Sequence, residues 1–340
     1  MDVARVEVIP YALPFRRPYV TARGRLERRE LILLRLTGAD GAVGLGETTS
    51  LSLRGGRALC DIVAELEELG RAIVAGGPID EAGLSAEARC AHSIAVADLS
   101  ARIDGRAIGD AGSEVRCNAT LSAGEPAAVA EEASHWREFG FDSFKLKVGT
   151  GADVDQVRAV RDAVGPDARI RLDANGAWDP ATAIATLDRV EHLGIELCEQ
   201  PTATLEGMAE VRAASAIPIA ADESVADRDE ARRARELGAC DLITLKLAKV
   251  GGLEEAADDW QLPVYISSAL EGPVGIAAAA AAAQRAARPA HVAHGLATQL
   301  LFSEEIAEAG PEIRAGALRL PPGPGLGVEI DEAALDRLRL

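Results

Sequence analysis

Lysine is nearly absent from this 340-residue chain: of 36 basic residues only four are lysine, at positions 145, 147, 246 and 249. Arginine has taken almost every place that needs only a solvated positive charge. A buried ammonium can lose its proton and act as a base, which a guanidinium does not do at ordinary pH. The surviving lysines are therefore candidates for proton chemistry. Lys145, Lys147 and Lys246 lie inside apolar, strand-like runs, whereas Lys249, at the ragged end of its run, reads equally as a surface residue.

Positive charge of any kind is in deficit. A net charge of -18 argues against nucleic acid, which requires a basic face, and against anionic membrane surfaces. No apolar run approaches the roughly 18 residues that cross a bilayer; the longest Ala-rich stretch, Ile276 to Ala283, is far shorter. The start, Met1-Asp2-Val3-Ala4-Arg5-Val6, lacks the basic-then-apolar pattern of a signal peptide. A cytoplasmic protein is expected, with neither nucleic acid nor membrane as partner; a homo-oligomer stays open. Cysteine is sparse and unpaired in pattern: Cys60, Cys90, Cys117, Cys198 and Cys240 include no Cys-x-x-Cys, so neither a disulfide framework nor a zinc site is indicated. His291 and His294, three apart in a strand-like run, point to opposite faces and do not form a ligand pair.

What is present divides into two textures. Val3 to Leu13, Glu30 to Leu36 and Ala42 to Glu47 alternate as strands, the last two joined by the turn Gly38-Ala39-Asp40-Gly41. Gly55 to Val74 and Leu84 to Ile103 have helical periodicity. From Val115 the pattern becomes a repeat of length. Candidate strand ends at Thr120, Lys147, Asp173, Glu199, Asp222, Lys246, Ser268 and His294 follow one another at 22 to 27 residues, with amphipathic segments between them. Eight strand ends at that pitch are the arithmetic of a (β/α)8-type barrel. A doubly wound sheet is the competing layout, but it would not place functional residues at so many consecutive strand ends. Only eleven residues separate Gly251-Gly252 from the strand at Val264, so the sixth helix must be short. Ala315 to Leu320, the turn Pro321 to Gly327 and a last helix from Asp331 are expected to return onto the N-terminal domain. The Gly-rich turn precedes no phosphate-cradling helix and reads as a loop.

Strand alternation puts Lys145 and Lys147 on one face, opposite Phe144, Leu146 and Val148. The same reasoning turns Asp173, Glu199, Asp222 and Lys246 inward, at the strand ends where barrel enzymes keep their active sites. Three carboxylates on consecutive strands repel one another unless a cation lies among them, and oxygen-only ligands with open positions suit Mg2+. Pairing of each acid with an arginine at the barrel mouth is the alternative. Lys147 and Lys246 would flank the ion, with pKa values lowered toward neutrality. Such a site suits removal of the proton alpha to a carboxylate, one lysine taking the proton while the metal and the other lysine stabilise the enediolate.

The motifs Lys145-Leu146-Lys147, Leu172-Asp173-Ala174-Asn175, Cys198-Glu199-Gln200-Pro201, Ala221-Asp222-Glu223-Ser224 and Lys246 with Gly251-Gly252 together resemble the enolase superfamily and its muconate-cycloisomerase-like subgroup. That superfamily is a known case of a Lys or His base working with Mg2+. The resemblance implies an α/β fold: a modified (β/α)7β TIM-type barrel at 115–298 and an α+β capping domain at 1–112, completed by 299–340. It also implies metal ligands Asp173, Glu199 and Asp222, with Mg2+ or Mn2+ as cofactor. Lys147 and Lys246 would be the acid/base pair, and Lys145 would assist a small anionic carboxylate substrate.

Dipeptide epimerases of this subgroup carry Asp-x-Asp after the eighth strand, where this chain has His294-Gly295-Leu296-Ala297-Thr298, and mandelate-racemase-like enzymes use a seventh-strand His, where it has Ile266-Ser267-Ser268. Ser267-Ser268-Ala269-Leu270-Glu271 resembles the o-succinylbenzoate synthase family, dehydratases of menaquinone biosynthesis. Where that family has Ser after the Glu, this chain has Gly272. A racemase of N-acylated amino acids or another epimerase or cycloisomerase of the subgroup is the nearest rival. A metal-independent Schiff-base lyase using Lys246, or a non-catalytic barrel, is more remote. Loops at Pro18 to Arg25 and Thr48 to Ser52 are expected to close over the barrel mouth.

Overall fold

The computed structural model describes residues 2–21, 24–51 and 56–340. Its first unit is an antiparallel sheet in the order β1 (Val3–Thr21), β2 (Gly24–Gly38) and β3 (Val43–Thr49), covered by α1 (Leu59–Val74) and α2 (Ala86–Ile103). Both hairpin strands run well beyond the expected segments. The β1–β2 register shifts between Pro14 and Tyr19, where Pro14 and Pro18 have no N–H to give to the ladder. One sheet face carries Ile32, Leu34 and Leu36 against Ile62, Leu66, Leu69, Ala91 and Leu99. Gly46 allows α2 to lie directly on β3, since a Cβ there would overlap Ala91 O.

β4 (Val115–Arg116) leads into the barrel. There β5 (Ala119–Leu121), β6 (Ser143–Lys147), β7 (Arg169–Asp173), β8 (Ile195–Glu199), β9 (Ile219–Ala221), β10 (Leu242–Leu245) and β11 (Val264–Ile266) lie parallel and in sequence order. A doubly wound sheet would reverse that order partway. The ring closes without an eighth regular strand. Gly295 N bonds Ile266 O at 2.9 Å on one side, and Asn118 N bonds His294 O at 2.9 Å on the other. Outer helices α3 (Pro126–Glu138), α4 (Asp153–Val164), α5 (Pro180–Val190), α6 (Leu205–Ala214) and α7 (Arg228–Leu237) follow the first five barrel strands. Asp179 and Asp227 cap α5 and α7 by accepting from Thr182 N at 2.7 Å and Glu230 N at 2.8 Å. After β10 come the four-residue α8 (Leu247–Val250) and the five-residue α9 (Leu253–Ala257), the short sixth helix that the spacing requires. The Ala-rich run forms α10 (Pro273–Arg285), buried continuously from Pro273 to Ala283. Among the described residues no helix is long and apolar enough to cross a membrane.

The C-terminal return goes to two places rather than one. β13 (Glu312–Arg314) and β14 (Ala317–Arg319) join β4, with Leu318 opposite Val115, so this half is tied to the entrance of the barrel and not to the N-terminal sheet. The second half does reach that domain. Buried Asp98 of α2 accepts from Leu326 N at 2.7 Å and Leu45 N at 2.8 Å, which makes the Gly-rich turn a docking loop. β12 (Ala307–Ala309) pairs with β15 (Glu329–Ile330), and α11 (Glu332–Leu338) ends with Leu340 N on Pro10 O at 3.0 Å.

Glu47, on β3, is fully buried against the start of α10, where it accepts from Gly275 N and the Tyr11 hydroxyl. Burial pushes its carboxyl up from an ordinary 4.5 to about 7, although the bonds from Tyr11 and Gly275 pull it down. The folded state thus holds a proton that the unfolded chain gives up, and this stabilisation, full at low pH, is lost as pH rises toward 7. At 1.36 kcal/mol per pH unit the loss is on the order of 3 kcal/mol. In urea unfolding at about pH 5 and about pH 8, Glu47→Gln is expected to lose less stability between the two than the parent protein. An equal loss in both would contradict this assignment.

Candidate active site

Barrel register, more than any loop, assembles the site. In β6 all five residues are buried, Phe144 and Leu146 packing into the core while Lys145 and Lys147 face inward. Lys147 is paired with Asp173 across β6 and β7, and Asp173 with Glu199 across β7 and β8. Glu199 stands beside Ala220, which places Asp222 just past the end of β9. Lys246 follows β10 directly and begins α8. Asp173, Glu199 and Asp222 are completely buried, and no lysine of the four is more than 8% exposed.

Each of the six expected residues is held in an ion pair. Lys145 Nζ lies 2.8 Å from Asp173 Oδ2 and 2.6 Å from Glu199 Oε2. Lys147 Nζ lies 2.6 Å from Asp173 Oδ2 and 3.0 Å from Asn175 Oδ1, and Lys246 pairs with Asp222. Among the described residues the partners of these acids are lysines. Lys249 is a core residue and not a surface one: it donates to Asp222 O at 2.6 Å, Asp222 Oδ1 at 3.1 Å and Thr244 O at 3.0 Å.

Among the described residues no three His, Cys, Asp or Glu side chains stand ready to hold a metal; the ammonium of Lys145 lies between Asp173 and Glu199 instead. The donor set still fits a hard cation. Glu199 Oε1 is buried and receives no hydrogen bond, and three buried carboxylates on neighbouring strands offer oxygen only. Burial pushes Glu199 up, reinforced by Asp173. Burial also acts to raise Asp173, but Lys145 and Lys147 hold it well below the usual carboxylate range. Lys147 does not move toward neutrality as expected. Burial lowers Lys145 and Lys147, yet contact with Asp173, and for Lys145 also with Glu199, outweighs it and raises both.

Sequence reasoning missed several supports. Asn175 and Gln200 hold positive φ of 48° and 42° just past their strands. Gln200 Oε1 accepts from Asp222 N at 2.8 Å and Ser224 N at 3.2 Å, fixing the turn that carries Asp222. The polar residues beside Asp173 and Glu199 in the quoted motifs were the available signal. Tyr265 donates its hydroxyl to Glu199, and nothing in the run Val264-Tyr265-Ile266 distinguishes it from core. His294 is a satisfied core residue, accepting from Ile266 N at 3.0 Å and lowered by burial to about 4.

A cavity above the lysines is lined from the first unit by Tyr19, Thr21, Arg29 and Leu51, and from the barrel by Lys147, Lys246, Ser268, Leu270 and Thr298, among others. Of the two expected closing loops, Pro18 to Arg25 is largely strand and Thr48 and Thr49 are buried in β3. Ala22, Arg23 and Ser52 lie outside the described residues. Arg29 joins the units by donating to Ser50 O at 2.7 Å and Ala269 O at 2.8 Å.

A closed parallel barrel with buried amines and acids at its C-terminal strand ends defines an acid/base barrel enzyme. Residues 128–334 match the family model described as enolase C-terminal domain-like, and the chain belongs to the enolase superfamily. It is 40% identical over 173 residues to the o-succinylbenzoate synthase of Thermobifida fusca, a match covering 48% of this chain and 55% of that protein. It is 30% identical over 369 residues to muconate cycloisomerase 1 of Rhodococcus opacus, covering 98% of each. The crystal structure of a dipeptide epimerase from Cytophaga hutchinsonii, complexed with Mg and the dipeptide D-Ala-L-Val, superposes with a TM-score of 0.90 at 27% identity, covering 99% of this chain and 98% of that one.

The structure gives a reason for Gly272. A Cβ there would overlap the Tyr11 hydroxyl and stand 2.5 Å from Glu47 Oε1. Gly272→Ser is expected to cost about 1–3 kcal/mol through overpacking. Adding Tyr11→Phe should recover part of the loss in thermal unfolding, and no recovery would place the clash elsewhere.

Proposed function

We propose that the chain is a Mg2+-dependent carbon–oxygen lyase that removes the proton alpha to a carboxylate and expels water, as an o-succinylbenzoate synthase of menaquinone biosynthesis. The observation that carries this reading is that Lys147 and Lys246, from opposite sides of the barrel, line one cavity beside three buried carboxylates. The 40% identical stretch and the segment Ser267 to Glu271 support the dehydratase in particular. Among the described residues every charged one lining the cavity is cationic, namely Arg29, Lys145, Lys147 and Lys246, which suits a small anionic carboxylate substrate.

Asp173, Glu199 and Asp222 would hold the Mg2+, which when bound supplies positive charge against the substrate carboxylate. Lys147 takes the alpha proton and returns it to the departing hydroxyl on the same face, so that water leaves. For that, the Asp173 charge that now keeps Lys147 protonated must be engaged elsewhere. Lys246 stays protonated and faces the negative charge that develops on the substrate. Lys145, between Asp173 and Glu199, orients the substrate carboxylate.

A racemase or epimerase of N-succinylamino acids is the second reading, favoured by the placement of an amine on each side of the cavity. The purified protein with Mg2+ is expected to form o-succinylbenzoate, to lose activity in EDTA and to regain it with Mg2+ or Mn2+. Lys147→Ala should retain fold and metal binding while turnover drops at least ~10²–10⁴-fold. Rapid solvent-deuterium entry into both enantiomers of an N-succinylamino acid, without dehydration, would instead establish the second reading. Activity that survives EDTA and is trapped by borohydride would overturn both.

A further inference from the structure

The acid/base scheme leaves Tyr265 unused. It lies inside the barrel in a small apolar cluster with Leu197 and Ala220, two residues before Glu199 and Asp222, and with Leu242, four before Lys246. Its hydroxyl donates to Glu199 Oε2, the oxygen that also accepts Lys145 Nζ at 2.6 Å. The other oxygen, Oε1, is the buried one that receives no hydrogen bond. The ring is itself held in place. Arg171 stands over it at 5.4 Å from guanidinium carbon to centroid, completely buried and fixed by Glu196 at 2.6 Å and Ala293 O at 2.5 Å.

We infer that Tyr265 is a positioning residue that reserves Oε2 of Glu199 for hydrogen bonding, offers Oε1 alone to a divalent cation, and so favours Mg2+ over Ca2+ at this site. The inference rests on the metal reading given above. Mg2+ takes six ligands in a small octahedron and is served by one oxygen per carboxylate. Ca2+ takes six to eight at longer range and gains from carboxylates that give both oxygens. Lys145 does not reserve Oε2 by itself, because its ammonium is shared with Asp173.

Tyr265→Phe removes one hydroxyl and keeps the ring beside Arg171. Calorimetric titration of the intact protein with Mg2+ and with Ca2+ separates the possibilities. In the variant, affinity for Ca2+ relative to Mg2+ is expected to rise about tenfold or more, on the scale seen when partners of metal ligands are removed. An unchanged ratio, with both ions binding, would overturn the inference and leave the metal reading intact. Parent protein that binds neither ion would overturn both. Should the variant not fold, metal-difference infrared spectra of the parent protein with Mg2+ decide the matter: carboxylate bands of single-oxygen ligation support the inference, and bands of two-oxygen ligation overturn it.

Discussion

The molecule is organised by the mutual neutralisation of three carboxylates and four ammonium groups where water is excluded. Each of these charges would be expensive to bury alone. They are tolerated because consecutive barrel strands bring amines and acids together at their ends, Lys145 and Lys147 from β6, Asp173 from β7, Glu199 from β8, Asp222 just past β9 and Lys246 just past β10. Lys249 secures Asp222 from behind through both its backbone and its carboxylate. Neighbouring parallel strands achieve this without long loops, and loops at this depth would carry backbone groups hard to satisfy.

The first unit is coupled to that cluster by two buried polar struts. Glu47 ties β3 to the first turn of α10, in a space that only glycine at 272 leaves open. Arg29 ties the carbonyls of Ser50 and Ala269, and the next residue, Leu270, holds a positive φ of 69° and lines the cavity. Leu270 is kept there by Ser268 and Glu271: Leu270 N donates to Ser268 Oγ at 2.7 Å and Ala269 N to Glu271 Oε2 at 2.6 Å. A non-glycine residue in this conformation is costly, so the loop after β11 is built to present Leu270, beside Ala269, to whatever lies above the lysines.

Much of this was legible because barrel periodicity is local. Spacing and strand alternation located seven barrel strands, placed Lys147, Asp173 and Glu199 at strand ends, and required the short α9. The unread features depend on partners distant in sequence. The repeat reaches His294, where the ring does close, but through backbone bonds to Asn118 and from Gly295 to Ile266 that do not form a regular strand. The return splits between β4 and α2 because Val115 and Asp98 are available to it, and neither identity is encoded in residues 312 to 330. Sequence leaves Lys249 equally a surface residue because the four-residue helix that turns it back to Asp222 is not visible there, and only the position of Glu199 gives the Tyr265 hydroxyl a role.

The account stands or falls on whether Asp173, Glu199 and Asp222 share one cation. Anomalous diffraction from crystals grown with Mn2+ tests this most directly. The expected result is a single manganese peak bonded to one oxygen from each of the three carboxylates, with Lys145 displaced from between them. A map with no peak there, or with manganese held by other residues while the ion pairs of Lys145 persist, would contradict it.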